Sequence, residues 1–195
     1  MRHIFAFALA IATSTAAFAE IITFEEFTAT NGSGIGLRNQ YQYLGVEFTL
    51  GFAHTYDDVS AGDPGGFGIS ADGNHQFLGV RATEPTIRIQ FDAPVQQFSL
   101  RAVQGGIPFT GDSLDIVAWD GQQIVDTVFT SFGFGQGWTT IEIDGSFDVL
   151  TLSAGGFTGN AMFGIDNLQW ARVPSPGVLS LVGIAGGLAA RRRRA

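Results

Sequence analysis

The chain has 195 residues, of which 45% are apolar and 14% charged, and this suffices for one domain with a hydrophobic core. It contains no Cys, which excludes disulfide scaffolds, zinc fingers, iron–sulfur centres and thiol enzymes. The formal net charge of −8 excludes a generic nucleic-acid-binding protein, because such a protein needs a basic surface to neutralise phosphates.

The N-terminal segment predicts a secretory signal peptide. A polar start and the apolar run 4–12 precede a small-x-small cleavage motif at Ala17 and Ala19. The apolar run is too short for a membrane-spanning helix. We therefore expect residues 1–19 to be removed, so that the mature chain begins at about Glu20.

The body of the chain, residues 20–172, has the alternating pattern of β-strands. Apolar and polar residues alternate with period two at 86–91, 98–102 and 114–119, and no long segment carries a helical stripe. Turn residues separate these runs, among them Asp92-Ala93-Pro94, Asp120-Gly121 and Asp144-Gly145. The pattern predicts an all-β domain, an antiparallel and jelly-roll-like β-sandwich of roughly eight to ten strands, with a hairpin at Asp120-Gly121.

Charge and aromatic residues indicate which ligands the body suits. Residues 20–172 hold five arginines against all 18 acidic residues, a formal charge of −13 that disfavours anionic ligands. A Gly-rich stretch contains Phe132, Phe134 and Trp138, and a loop aromatic ring can stack on the apolar C–H face of a sugar. With Tyr56 these residues form a candidate glycan-binding surface. The alternative is that the two Phe rings fold inward and close one end of the sandwich.

The C-terminal segment 173–195 combines three features. Val173-Pro174-Ser175-Pro176-Gly177 precedes the uncharged run 178–190, which is followed by Arg191, Arg192, Arg193 and Arg194. The 13 residues of the run reach about 20 Å as a helix, against roughly 30 Å of bilayer hydrocarbon, so they form only a marginal membrane segment. By the positive-inside rule the four arginines stay cytoplasmic, which leaves the body outside.

This tail resembles that of the PEP-CTERM proteins of Gram-negative bacteria. Those proteins end in a Pro-x-Pro motif, a short apolar helix and an Arg cluster, and the most common form of the motif has Glu where this chain has Ser175. The resemblance implies transient retention in the inner membrane, followed by cleavage near the motif by an exosortase-type membrane protease. It implies export to the cell surface or the extracellular matrix.

The two ends of the body resemble the first and last strands of jelly-roll carbohydrate-binding modules. The segments concerned are 22–27 and 163–168. In such modules the two strands lie side by side, and a structural calcium ion often sits where they meet. The resemblance implies that Glu25, Glu26 and Asp166 supply carboxylate ligands, and a hard cation prefers such oxygen ligands. The alternative is that these residues are solvated charges at strand ends.

The chain lacks the common catalytic signatures. It contains neither His-Glu-x-x-His nor Gly-x-Ser-x-Gly, so we predict that it is not an enzyme. We expect an exported protein of the cell surface or extracellular matrix that works in the exopolysaccharide or biofilm layer and binds no nucleic acid. Its calcium-stabilised sandwich either binds polysaccharide weakly or simply populates the surface. The alternative is a secreted glycan-active enzyme, a glycoside hydrolase or lyase, on the same scaffold. Hydrolysis needs two carboxylates about 5–10 Å apart, and the candidates are Glu25 or Glu26 with Glu47, Glu84 or Glu142.

Overall fold

A computed structural model describes residues 20–26, 35–50, 54–57, 76–105, 111–132, 137–156 and 161–173. Within these ranges the chain forms 11 strands, and neighbouring strands pair antiparallel. In chain order the strands are β1 (Glu20–Ile22), β2 (Ile35–Gly36), β3 (Val46–Leu50), β4 (His54–Asp57), β5 (Gln76–Arg81), β6 (Ile87–Gln104), β7 (Ser113–Asp120), β8 (Gln123–Thr130), β9 (Thr139–Ile143), β10 (Phe147–Gly155) and β11 (Met162–Arg172). A 3-10 turn, Gln42–Leu44, precedes β3. The predicted fold class, an antiparallel β-sandwich, is confirmed.

Strand β6 belongs to both layers of the sandwich. Its N-terminal part pairs with β3 on one edge and with β10 on the other. Its C-terminal part pairs with β9 and with β11. We call the first layer sheet A, with strand order β3–β6–β10–β7–β8, and the second sheet B, with order β9–β6–β11–β5–β4–β2. Strand β1 adds to sheet B beside β11.

The predicted turn at Asp92-Ala93-Pro94 is wrong, because β6 runs through it without a break. Gln97 has a φ of 53°, and the pairing of β10 with β6 and of β11 with β6 shifts register along this part of the strand. Such irregularities increase the local twist, which lets one strand leave sheet A and enter sheet B. Pro94 has no N–H to donate, but its carbonyl accepts a hydrogen bond from the N–H of Val173 (3.0 Å).

The predicted turns after β7 and after β9 are confirmed. Asp120 pairs with Gln123 across the first hairpin, and Gly121 has a φ of 58°. In the second turn Gly145 has a φ of 87°. Both φ values lie in the left-handed region that glycine adopts at little cost, which explains why glycine stands at these two positions.

Buried side chains of the two sheets form one continuous core. At its centre, four aromatic rings meet where β6 passes between the sheets. The centroid of the Phe91 ring lies 6.1 Å from that of Phe98, 6.0 Å from Phe147 and 5.5 Å from Trp170, all in edge-to-face geometry. Edge-to-face contacts of this kind add to the free energy gained by burying the rings.

The first and last strands lie side by side, as the resemblance to carbohydrate-binding modules implies. Glu20 pairs with Trp170 and Ile22 with Leu168. Arg172 then fastens the two ends through three contacts of 2.8 Å, to Oε1 of Glu20, Oδ1 of Asp92 and the carbonyl of Leu44. The hydrogen bond to Glu20 is the main reason that the pKa of Arg172 is raised above its ordinary value.

Candidate functional site

The residues predicted to hold calcium lie around Tyr41 and the start of β5. Phe24 has a φ of 62°, which turns the chain after β1. Oε1 of Glu25 then accepts a hydrogen bond from the N–H of Gln76 (2.9 Å), and Oε2 of Glu26 accepts one from the Tyr41 hydroxyl (3.1 Å). Asp166 is 1% exposed and accepts a hydrogen bond from the N–H of Asn167 (2.7 Å).

The charges of Glu26 and Asp166 both act on the Tyr41 hydroxyl. Burial is the largest cause that raises the pKa of Tyr41 far above its ordinary value, followed by the charge and the hydrogen bond of Glu26. The charges of Tyr43 and Asp166 add smaller increases. Two carboxylates near one buried hydroxyl are donors of the type that calcium prefers. Within the described ranges, however, no three acidic or His side chains come together as one metal-binding group.

The aromatic residues predicted to bind glycan occupy different environments. Phe132 is only 9% exposed and packs against Phe163 of the core, with ring centroids 5.5 Å apart. This corresponds to the alternative in which the ring folds inward, and it leaves no open face of Phe132 for a sugar. The whole of Phe134 and the side chain of Tyr56 lie outside the described residues.

Trp138 lies on the outer side of sheet B. The ring is half-buried against Phe77, Val103 and Met162, which form a small cluster separate from the main core. The guanidinium carbon of Arg101 stands 5.6 Å from the ring centroid, in cation–π geometry. Trp138 therefore remains a candidate sugar-binding residue, but part of its ring already contacts protein.

The structure contains a second candidate surface, which the sequence did not predict. It is the outer face of sheet A, whose strands turn alternate residues away from the core. Because the pairing is in register, Trp119 of β7, Val149 of β10 and Gln90 of β6 form one row across the sheet. The neighbouring row contains Val117, Thr151 and Arg88 in the same strands. We call this surface the outer face of sheet A. Its side chains are Trp119, Val149, Gln90, Val117, Thr151 and Arg88, all partly exposed except Val149, which is 2% exposed.

Hydrogen bonds between its members hold the outer face of sheet A in place. The indole N–H of Trp119 donates to Oγ1 of Thr151 (3.3 Å), which donates in turn to the carbonyl of Val117 (3.3 Å). The Arg88 guanidinium donates to Oε1 of Gln90 (3.2 Å), and Nε2 of Gln90 donates to the carbonyl of Asp148 (3.1 Å). The ring and the polar groups are thus oriented before any ligand arrives, which lowers the entropy that binding costs.

Strand β8 extends the apolar part of this surface to the edge of the sheet. Phe129 pairs with Asp115 of β7 and is 70% exposed, and Ile124 pairs with Trp119 and is 52% exposed. Single exposed apolar side chains are common on protein surfaces, whereas contiguous groups of them mark candidate interaction sites. The edge thereby places Ile124 beside Trp119, and Phe129 further along the sheet beside Asp115.

The signal for the outer face of sheet A was present in the sequence. In residues 87–91 of β6 and in β7, every second residue is apolar and faces the core. The residues between them face outward, and these include Arg88, Gln90 and Trp119. What the sequence lacks is the order of the strands, since β7, β10 and β6 are neighbours in space but not along the chain.

The predicted processing sites lie at the margins of the described chain. Val173 is described, whereas Ala17, Ala19, residues 174–177 and Arg191 to Arg194 lie outside the described residues. A search of the described part of the chain finds no helix with the length and hydropathy needed to span a membrane. The apolar run 178–190 falls outside that part.

Comparison with known proteins finds similarity in structure only. No family model and no curated protein matches the chain. A family 29 carbohydrate-binding module complexed with mannohexaose is similar over 78% of this chain and 90% of that chain, at 14% identity and a TM-score of 0.38. The CBM22-1–GH10 modules of Clostridium thermocellum endo-1,4-β-D-xylanase 10B, complexed with xylohexaose, match over 78% of this chain and 28% of that chain (11% identity, TM-score 0.38). The C-terminal family 22 carbohydrate-binding module of the same xylanase matches over 75% and 96% (12% identity, TM-score 0.36).

Proposed function

We propose that the protein is an exported, non-enzymatic glycan-binding module and that the outer face of sheet A is its binding surface. The observation that carries the proposal is the alignment of Trp119 and Gln90 on either side of Val149, beside Thr151 and Arg88; Val149 itself is only 2% exposed. A polysaccharide is complementary to this surface, because its apolar C–H faces can stack on the ring and its hydroxyls can hydrogen-bond the polar side chains.

The chemistry of each side chain suits this role. The Trp119 ring offers a flat apolar surface on which a pyranose ring can stack. The Gln90 amide already donates to the carbonyls of Phe91 and Asp148, so it offers a hydroxyl the remaining lone pair of Oε1. Arg88 offers guanidinium N–H groups, and its hydrogen bond to Gln90 fixes both orientations. Neutral sugars are bound by stacking and hydrogen bonding, so such a surface does not require acidic side chains to bind them.

The alternative, a glycan-active enzyme, has less support from the same geometry. Of the predicted carboxylates, Glu25 is bound by the N–H of Gln76 and Glu26 by the Tyr41 hydroxyl. Glu47 lines one cavity with Asp92, but the Asp92 carboxylate is bound to Arg172 at 2.8 Å. A pair of hydrolytic carboxylates stands about 5–10 Å apart. Release of reducing ends from a bound polysaccharide, lost when one Glu is changed to Gln, would favour the enzyme.

Replacing Trp119 is the test of the binding surface. We expect Trp119→Ala to weaken binding to a neutral polysaccharide (β-glucan, mannan or xylan) by at least about tenfold, because truncating a central aromatic residue removes stacking that little else replaces. The dissociation constant is measured by affinity electrophoresis and calorimetry. Trp138→Ala is the matched control and is expected to bind like the unaltered protein. If Trp138→Ala loses binding and Trp119→Ala keeps it, the surface lies on sheet B instead.

Export and processing form the second part of the proposal. The signal-like segment 1–19 and the PEP-CTERM-like segment 173–195 support passage across the inner membrane and cleavage by an exosortase-type protease. The destination is the cell surface or the extracellular matrix, in the exopolysaccharide or biofilm layer. Mass spectrometry of the protein from its host tests this, since termini near Glu20 and Pro176 are expected and an intact cytosolic chain contradicts it.

A structural calcium ion is the third part of the proposal. Glu26 and Asp166 are the residues that would hold it, with Glu25 held aside by the N–H of Gln76. We expect calcium at 100 times its dissociation constant to add about 2.7 kcal/mol to the free energy of unfolding, and EDTA to remove this gain. Asp166→Asn should abolish the response in thermal unfolding, whereas Glu142→Gln, an exposed carboxylate on β9, should keep it. If neither calcium nor EDTA changes the unfolding temperature, the proposal is contradicted.

A further inference from the structure

A cavity of about 340 Å³ opens at the β3 side of the outer face of sheet A. It lies beyond Gln90, at the end of the row that begins with Trp119, because Glu47 of β3 pairs with Gln90. A volume of this size is at the lower end of the range found for small-ligand sites. The residues that line it are Gln42, Gly45, Val46, Glu47, Gln90 and Asp92.

The backbone around Gly45 shapes this cavity. Gly45 ends the 3-10 turn with a φ of 69°, and its N–H donates to the carbonyl of Gln42 (2.9 Å). The N–H of Asp92 donates to the carbonyl of Gly45 (2.8 Å), so the two strands approach closely here. A Cβ atom at position 45 would collide with the Asp92 carboxylate, and the φ of 69° is one that other residues rarely adopt. Position 45 therefore requires glycine.

The cavity is negatively charged. Glu47 and Asp92 contribute carboxylates, and none of the six lining residues is basic. The neighbouring Arg172 divides its charge between Glu20 and Asp92, at 2.8 Å from each, and also binds the Leu44 carbonyl. The guanidinium therefore contacts two carboxylates, and Glu47 adds a third negative charge at the cavity. Besides Arg172, the outer face of sheet A holds one further cation, Arg88, which is hydrogen-bonded to Gln90, so this end of the surface keeps an excess of one negative charge.

We infer that this cavity binds a protonated amino sugar of a glycan chain that lies along the outer face of sheet A. The inference rests on the proposed function and names the class of glycan. The ammonium group would approach Glu47 and Asp92, and the neighbouring hydroxyls would meet the amide of Gln42. A partly deacetylated polysaccharide of hexosamine units carries such ammonium groups, whereas uronic acids and sulfated sugars would meet repulsion.

A pair of oligosaccharides that differ only in the acetyl group tests the inference. The probes are deacetylated and N-acetylated β-1,4-linked glucosamine oligomers of equal length, titrated into the purified protein at a pH where the free amine is protonated. We expect the deacetylated oligomer to bind about tenfold more tightly, since hydrogen bonds to a charged group at a partly exposed site are at the weaker end of their range. Raising the salt concentration should reduce this preference.

Substitution of Glu47 identifies the cavity as the source of the preference. Glu47→Gln keeps the shape and removes the charge, and we expect it to bring the ratio of the two dissociation constants close to one. Glu47→Asp keeps the charge on a shorter side chain and should retain part of the preference. Glu142→Gln removes the same charge from the outer side of sheet B and should leave the ratio unchanged.

The outcomes separate the two proposals. If the protein binds both oligomers equally, or if Glu47→Gln retains the preference, the amino-sugar site is wrong while binding through Trp119 stands. If neither oligomer and no neutral polysaccharide is bound, the proposed function is itself wrong.

Discussion

Phe91→Ala is expected to lower the free energy of unfolding by about 3–5 kcal/mol, the range typical of a large-to-small change in a core. Phe91 is 3% exposed and its ring contacts those of Phe98, Phe147 and Trp170. The substitution therefore leaves a cavity lined by three rings that cannot collapse without moving β6, the strand shared by both sheets. Because the whole stability of such a domain is about 5–15 kcal/mol, a large part of it should be lost. Equilibrium unfolding in urea measures the change.

Phe129→Ala is the matched control, since it removes the same atoms from a side chain that is 70% exposed. Its effect on the free energy of unfolding should stay within about 0.5 kcal/mol. Equal losses for the two variants would mean that the ring cluster is not the centre of the core.

The second large effect is expected above pH 10. The pKa of Tyr41 is raised in the folded state by burial and by Glu26, while in the unfolded chain a Tyr titrates at about 10. Stability from the neutral hydroxyl is thus fully present below about pH 10 and is lost as the pH rises further, at about 1.4 kcal/mol per pH unit. Tyr41→Phe cannot ionise, so its free energy of unfolding should fall less steeply in this range. Urea unfolding at several alkaline pH values measures the two slopes.

The same variant should behave differently at neutral pH. There Tyr41→Phe loses the hydrogen bond to Glu26, which costs about 1 kcal/mol. The curves of the two proteins should therefore approach each other as the pH rises. Tyr43→Phe, at a ring that is 69% exposed, is the matched control and should follow the unaltered protein. Parallel alkaline slopes for Tyr41→Phe and the unaltered protein would contradict the assignment.

Local pattern predicted the strands well where each run alternates strictly. Residues 98–102 and 114–119 fall within β6 and β7, and the hairpin at Asp120-Gly121 is confirmed. The pattern failed at Asp92-Ala93-Pro94, whose composition is typical of a turn. There the burial of Phe91, Val95 and Phe98 on either side keeps the backbone extended, and a local change of twist replaces the turn.

For the candidate site the sequence was less informative. It selected Phe132 and Trp138 because aromatic residues among glycines suggest an exposed loop, yet Phe132 packs into the core. Trp119 lies inside a regular strand, where no neighbouring glycines suggest an exposed loop. Only its row with Gln90, and the hydrogen bond to Thr151, distinguish it from an ordinary outward-facing residue.

The sequence by itself determined that this is an acidic, Cys-free β-protein and which residue of each strand faces the core, because a two-residue period is a local property of the chain. Only the tertiary structure decided that β6 serves both sheets, that Arg172 joins the first and last strands, and that Trp119, Gln90 and Glu47 share one row. These features depend on which strands become neighbours. That choice is made by side-chain packing between segments distant in sequence, and no local pattern records it.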